Sequence, residues 1–303
     1  MRRLLVSLIA IFLALVVGAV VGAVVRNGGS GGADLSRRND ALSAANGRLE
    51  RQVGAADDFV ARSAGRILGG TLADRTVLVF TTPDADAADV DAVTAALTTA
   101  GAKVTGRIAL TDAFVDAAQG DRLRTAVTNM IPAGAQLQTD AMDQGSLAGD
   151  LLGLAFLTDP GDGAERATGQ ERGLIADTLH GGGFLAAGEF APAQSAIVVT
   201  GAGARADHNG QGSIIARFAG ALRGRGAGVV LAGRPGSSAA AGPIAQVRSD
   251  NRLDATVSTV DNVDRETGRV TTVLGLGEQL GGKTGHYGSG PDATSLSVAA
   301  LPG

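Results

Sequence analysis

The sequence predicts an α/β protein in three parts: a single N-terminal transmembrane helix, a short coiled coil, and an exported unit built on a parallel sheet. Three observations carry that expectation. An uncharged run, Leu4–Val25, lies near the start, and leucines then recur every seven residues at Leu35, Leu42 and Leu49. From about Arg66 onward, apolar β-branched runs alternate with amphipathic helical patterns. The expected boundaries are 1–26 for the anchor, 27–66 for linker and coiled coil, and 67–303 for the α/β region. That region divides into halves near 67–157 and 170–303.

The first part is justified by length and flanking charge. Leu4–Val25 spans 22 residues, which at ~1.5 Å per residue crosses a hydrocarbon core of ~30 Å. Arg2 and Arg3 precede it, and Arg26 alone follows before the polar stretch "NGGSGGAD". The positive-inside rule then puts the N-terminus in the cytoplasm and everything after Arg26 outside. A signal peptide cleaved near the small residues Gly18–Ala23 is the competing reading. No second apolar run reaches ~18 residues, so the protein is expected to cross the cytoplasmic membrane once.

Asn27–Asp34 reads as a short flexible linker. With Leu35, Leu42 and Leu49 at heptad d, the a positions hold Asn39, Asn46, Val53, Val60 and Ile67. Leucine at d with asparagine at a is the pattern of a parallel two-stranded coiled coil, in which buried Asn costs stability and fixes register. A homodimer interface of Leu35, Asn39, Leu42, Asn46, Leu49 and Val53 is therefore expected. The alternative is a helix packed on its own globular unit.

The α/β region follows in order. "RTVLVF" (Arg75–Phe80) suits a strand buried on both faces. An acidic helix start, an apolar stripe of Val90, Val93 and Leu97, and a stop at Gly101 come next. Ala102–Leu110 is the following strand. Helical patterns occupy Thr111–Ala118, Asp121–Ile131, Asp143–Leu157 and Gln170–His180, with a loop at Thr158–Gly169. Then come a strand at Ser195–Gly201, a helix at Gly212–Gly226, a strand at Gly228–Gly233, a short helix in "GPIAQVRSD" and a strand in "DATVSTVD". Strand–helix–strand repetition implies a parallel, helix-covered sheet with right-handed crossovers.

Several motifs promise chemistry that their context withdraws. Gly277–Thr284 fits the phosphate-loop pattern, which needs a strand before it and a helix after it. Here "GHYGSGPDATS" follows, a stretch that cannot be a helix, and an exported unit meets little ATP. "GAGARA" (Gly201–Ala206) resembles a dinucleotide turn, but the next helix starts too late to hold pyrophosphate. Asp261 and Asp264 could do acid–base work; a solvated turn is the expected reading. Without cysteine, neither disulfides nor thiolate ligands or nucleophiles exist. The net charge of −4 and the absence of a basic run argue against nucleic acid. Aromatics at 3% supply no girdle for a membrane barrel.

The three histidines, His180, His208 and His286, and the methionines Met1, Met130 and Met142 form no local copper-binding spacing. Three separate surface histidines are expected, with a long-range histidine site as the alternative. No catalytic, cofactor-binding or nucleotide-binding residue is assigned, and the chain is expected not to be an enzyme.

The order of anchor, coiled coil, "VLVFTTPDADAADVDAV", "PAGAQLQTDAMDQGSLAGDLLGLAFL", "VVLAGR" and "ATVSTVDNVDRETGRVTTVLGLGEQLGGKTGHYGSG" resembles the actinobacterial copper transporter family MctB. The resemblance covers nearly the whole chain and is most distinctive in its C-terminal part. It implies an envelope protein in copper homeostasis that assists efflux or forms a pore by oligomerising; the family has also been described as an outer-membrane channel. Copper enters by this resemblance alone, which carries no ligand residues with it. Corynebacterial relatives called SteB imply a second reading. In it the chain is a dimeric tethered scaffold that engages an envelope protein, such as a SteA-like partner, in cell separation and peptidoglycan cleavage.

Overall fold

A computed structural model describes residues 31–132, 134–137, 143–203 and 210–298. The expected membrane span Leu4–Val25 lies outside them. Among the described residues no helix is long and apolar enough to cross a membrane. The chain divides into two compact units, the first ending at Ala56 and the second running from Asp57.

Helix α1, Gly31–Leu68, begins inside the stretch read as linker and runs for 38 residues through Gly47 and Gly54. Asp34 in its first turn and Arg66 in its last both complement the helix dipole. The last turns belong to the second unit: Val60, Ala64 and Leu68, spaced by four, pack into its core, and Asp57 pairs with Arg265 at 3.2 Å. The notional a position Val60 is thus used within the chain.

The second unit is built on a seven-stranded sheet in the order β3-β2-β1-β4-β5-β6-β7. The strands are β1 Thr76–Thr81, β2 Lys103–Leu110, β3 Leu185–Ala187, β4 Ser195–Val199, β5 Gly228–Ala232, β6 Ser258–Val260 and β7 His286–Tyr287. All pairings are parallel except β2 with β3. Strand β1, from the first expected half, hydrogen-bonds directly to β4 from the second.

Period-two alternation sends the strand side chains to two cores. Leu78, Phe80, Ile108, Val198 and Leu231 face one layer, while Val77, Val79, Ile197, Val199 and Val230 face the other. The second layer contains α2 (Ala87–Thr99) and α10 (Glu266–Leu280). Asp86 caps α2 by accepting from the Ala88 amide, and Gly101, at φ 86°, turns the chain out of it.

The first layer contains α3 (Asp112–Val115), α4 (Gly120–Thr128), α5 (Gln144–Phe156), α6 (Gly169–Gly181), α7 (Gln211–Arg225), α8 (Pro243–Ser249) and α9 (Asn251–Asp254). Every residue of α5 is buried. Gly145, Gly149 and Gly153, four apart, let its backbone approach α7; a Cβ on Gly149 would lie 2.5 Å from the Phe218 carbonyl oxygen. Asp150, buried within this helix, is held by Arg225 of α7 through Nε and Nη2. Phe218 meets the edges of Phe80 and Phe114 at centroid distances of 5.3 Å.

Candidate functional site

In an open α/β sheet, the carboxyl ends of the strands around a reversal of strand order form the crevice where ligands usually bind. Here the reversal falls between β1 and β4, because the chain first builds outward through β2 and β3 and then returns. The crevice is therefore set by the turns after Thr81 and Val199.

Those turns are tied to each other. The Thr82 hydroxyl donates to Asp84 Oδ1 at 2.6 Å, the Thr200 hydroxyl lies 3.3 Å from the same oxygen, and the Gly203 amide donates to Asp84 Oδ2 at 3.1 Å. Gly201 is required beneath them, since a Cβ there would lie 2.0 Å from the Asp84 carbonyl oxygen. The 3-10 turn Pro235–Ser238 then closes over the strand ends, with Gly236 so near Ala202 that a Cβ would meet its carbonyl at 2.2 Å. Among the described residues, the cavity at this crevice, lined by Pro83, Asp84, Asp112, Val115 and Thr200 among others, holds about 10 Å³. That is space for about one water molecule. Gly201–Gly203 of the dinucleotide-like turn is thus a strand-end turn, and 204–206 lie outside the described residues.

Two further clusters fill the same edge. Asp89, buried in the first turn of α2, receives Arg234 Nε at 2.7 Å and Arg269 Nη2 at 3.2 Å. Arg234 also reaches Asp86 at 2.8 Å, and these carboxylates raise its pKa above the ordinary arginine value, the Asp89 hydrogen bond contributing most. At the β6 end, Asp261 is fully buried against Arg248 at 2.8 Å and accepts from the Ser289 and Gly290 amides. Arg248 donates as well to Thr259 Oγ1 and to the carbonyls of Tyr287 and Pro291. Asp261 is therefore no solvated turn residue: both carboxylate oxygens are spent on holding the segment after β7. Buried Tyr287 donates to Glu278, and burial together with that carboxylate pushes its pKa up.

The phosphate-loop match straddles a helix end. Gly277 sits in α10, Gly281 caps it, Lys283 is exposed, and the Thr284 hydroxyl donates to the Ala255 carbonyl at 3.1 Å. A helix precedes the motif and β7 follows, the reverse of the order a phosphate loop needs.

The histidines correct one expectation. His180 is exposed in the last turn of α6, but His286 is buried in β7. Its neighbour Gly285 made a loop plausible; pairing with β6 carries the ring inside instead. His208 and Met142 lie outside the described residues. Among the described residues no group of three or more His, Cys, Asp or Glu side chains is placed to hold a metal ion.

The six residues expected at a dimer interface all lie on α1, in the first unit. Leu35, Leu42, Leu49 and Val53 are 48%, 64%, 58% and 38% exposed, and Asn39 and Asn46 are exposed too. Within one chain, these leucines are left facing water.

The family profile described as "Copper transport outer membrane protein, MctB" matches residues 1–298. The chain belongs to the MctB family. It is 43% identical over 242 residues to the copper transporter MctB of Mycobacterium leprae strain TN, covering 77% of this chain and 76% of that protein. It is 38% identical over 271 residues to the copper transporter MctB of Mycobacterium tuberculosis strain H37Rv, covering 88% of this chain and 86% of that protein. The same figures hold for the copper transporter MctB of Mycobacterium bovis. The matched span includes Asp84, Asp89, Arg234, Arg248, Asp261 and His286. The carboxyl-edge clusters thus belong to the part of the chain that carries MctB membership. Sequence spacing could not have found them, because Asp89 and Arg234 stand 145 positions apart and Asp89 and Arg269 180.

Proposed function

We propose that this MctB protein is a membrane-held envelope protein of copper homeostasis that works as a parallel homodimer. In this reading Leu4–Val25 anchors it in the cytoplasmic membrane, α1 joins two copies through the seam of Leu35, Leu42 and Leu49, and the α/β unit stands outside. The observation that carries the copper role is the family match over 1–298, together with relatives named copper transporters. Copper is the cargo. The chemistry of the α/β unit supports placing the copper-linked step in the assembled, membrane-held protein rather than in a site inside that unit. Cu(I) favours thiolate and thioether ligands, and the chain has no cysteine and three methionines. The self-filled carboxyl edge likewise supports a non-catalytic role.

Deleting the protein in its native host and measuring cell-associated copper under copper stress tests this. Copper content should change on deletion, return with the full chain, and stay uncorrected by a version lacking residues 1–26. Unchanged copper content in the deletion strain would contradict the copper role, and full correction by the unanchored version would contradict the membrane-held mechanism.

A further inference from the structure

His286 sits at the end of an ordered hydrogen-bond relay. Arg248, its side chain 1% exposed, donates Nε to Thr259 Oγ1 at 2.9 Å. Having accepted there, Thr259 directs its own hydrogen to His286 Nδ1, 2.9 Å away. The network therefore assigns the ring proton to Nε2, which donates to the Asp254 backbone carbonyl and carboxylate, each at 3.0 Å. Thr259 favours an unprotonated Nδ1, while on the other side Asp254 accepts from Nε2 whether the ring is neutral or charged. The groups facing it are Arg248 of α8, Asp254 of α9 and Thr259 of β6. Thr294, whose amide donates to the His286 carbonyl at 2.8 Å, packs from the segment that follows. Asp261 is engaged by Arg248 and the loop amides, and Glu278 by Tyr287.

This relay is also the attachment of the C-terminal segment. Arg248 binds the Tyr287 and Pro291 carbonyls, Asp261 binds the Ser289 and Gly290 amides, and β7 is the last strand of the sheet. A proton on Nδ1 would make the Thr259 hydroxyl accept a second hydrogen bond, take away the acceptor of its own hydrogen, and place a second cation beside buried Arg248.

We propose that His286 is the pin of an acid-sensitive latch, and that protonation of its Nδ1 releases the segment from β7 to Val298 from the carboxyl edge. Release uncovers the backbone edge of β6, a surface able to pair with another strand. Burial lowers the pKa of His286; the Asp254 charge and backbone hydrogen bond oppose it, and Arg248 adds the smallest lowering. The sign follows from that lowering. The latch contributes fully above the unfolded-state value of ~6.5 and is lost as pH falls from there through the folded-state pKa.

Hydrogen exchange on the full chain in detergent, corrected for intrinsic rates, tests the latch between about pH 7.5 and about pH 5. Protection of residues 285–295 should fall by up to about ten-fold per pH unit in the wild type, more than in β1 or β4. His286→Gln, which keeps one acceptor and one donor but cannot take the proton, should lose that pH dependence. Because this variant could fail to fold, the ring is also titrated by NMR in the full chain carrying His180→Gln and His208→Gln. Its midpoint should lie below the ordinary histidine value and coincide with the loss of protection. PH-independent protection in the wild type, parallel loss in His286→Gln, or a ring titrating at or above the ordinary value would each overturn the latch.

Discussion

The two units handle exposed surface in opposite ways. In the second, the described residues at the carboxyl edge of the sheet bind one another: Asp84 binds the turn after β4, Asp89 gathers two arginines, and Asp261, at the β6 end, holds the C-terminal segment. In the first, Leu35, Leu42 and Leu49 stand open to water along one helix. Among the described residues, the second unit turns its strand-end carboxylates to its own cohesion and exposes large apolar side chains only singly, at Phe59, Ile67, Leu174 and Leu296, while the first repeats them every seven residues. Burying a leucine is worth about 1.5–3 kcal/mol, so a repeated leucine seam is a strong drive toward association. Fold alone does not locate function.

The largest way to break this contrast is at the buried ion pair. Arg248→Met strands Asp261 in a fully buried position, and breaking such a pair costs about 3–5 kcal/mol. Denaturant unfolding of the Asp34-onward protein should show that loss; a change within about 0.5 kcal/mol would mean the edge does not depend on its ion pair. The smallest expected effect comes from the exposed Lys283. Lys283→Ala should alter stability by no more than about 0.5 kcal/mol and leave the protein without ATP binding. Micromolar ATP affinity abolished by that change would return the crevice comparison to its starting point.

Strands β1, β4 and β5 were legible because each is a continuous apolar run, the signature of burial on two faces, whereas β2, with Lys103, Thr105, Gly106 and Arg107, was legible only as the strand that completes a βαβ unit. Strands β3 and β7 have three and two residues, too few for any period to register. Helix α10 was hidden by Gly268, Gly275 and Gly277, which weaken the helical pattern and let its end pass for a phosphate loop. One of these is a packing need: a Cβ on Gly268 would lie 2.0 Å from the Asn262 carbonyl oxygen. The helix that carries Leu35, Leu42 and Leu49 could be read because its pattern is local and repeats. The carboxyl-edge clusters could not, since Arg248 reaches Asp261, Thr259 and Pro291 only after three elements have come together.

If assembly resides in α1 as proposed, and cohesion in the α/β unit, either can be lost without the other. Light scattering and thermal unfolding of the Asp34-onward protein, with and without Leu42→Asp plus Leu49→Asp, test it most directly. Two carboxylates buried opposite two more cost several kcal/mol, on the order of the whole association energy. A wild-type dimer, a monomeric double variant, and the same unfolding transition of the α/β unit in both are expected. A wild-type monomer at concentrations on the order of tens of micromolar, or a dimer untouched by both substitutions, would contradict it.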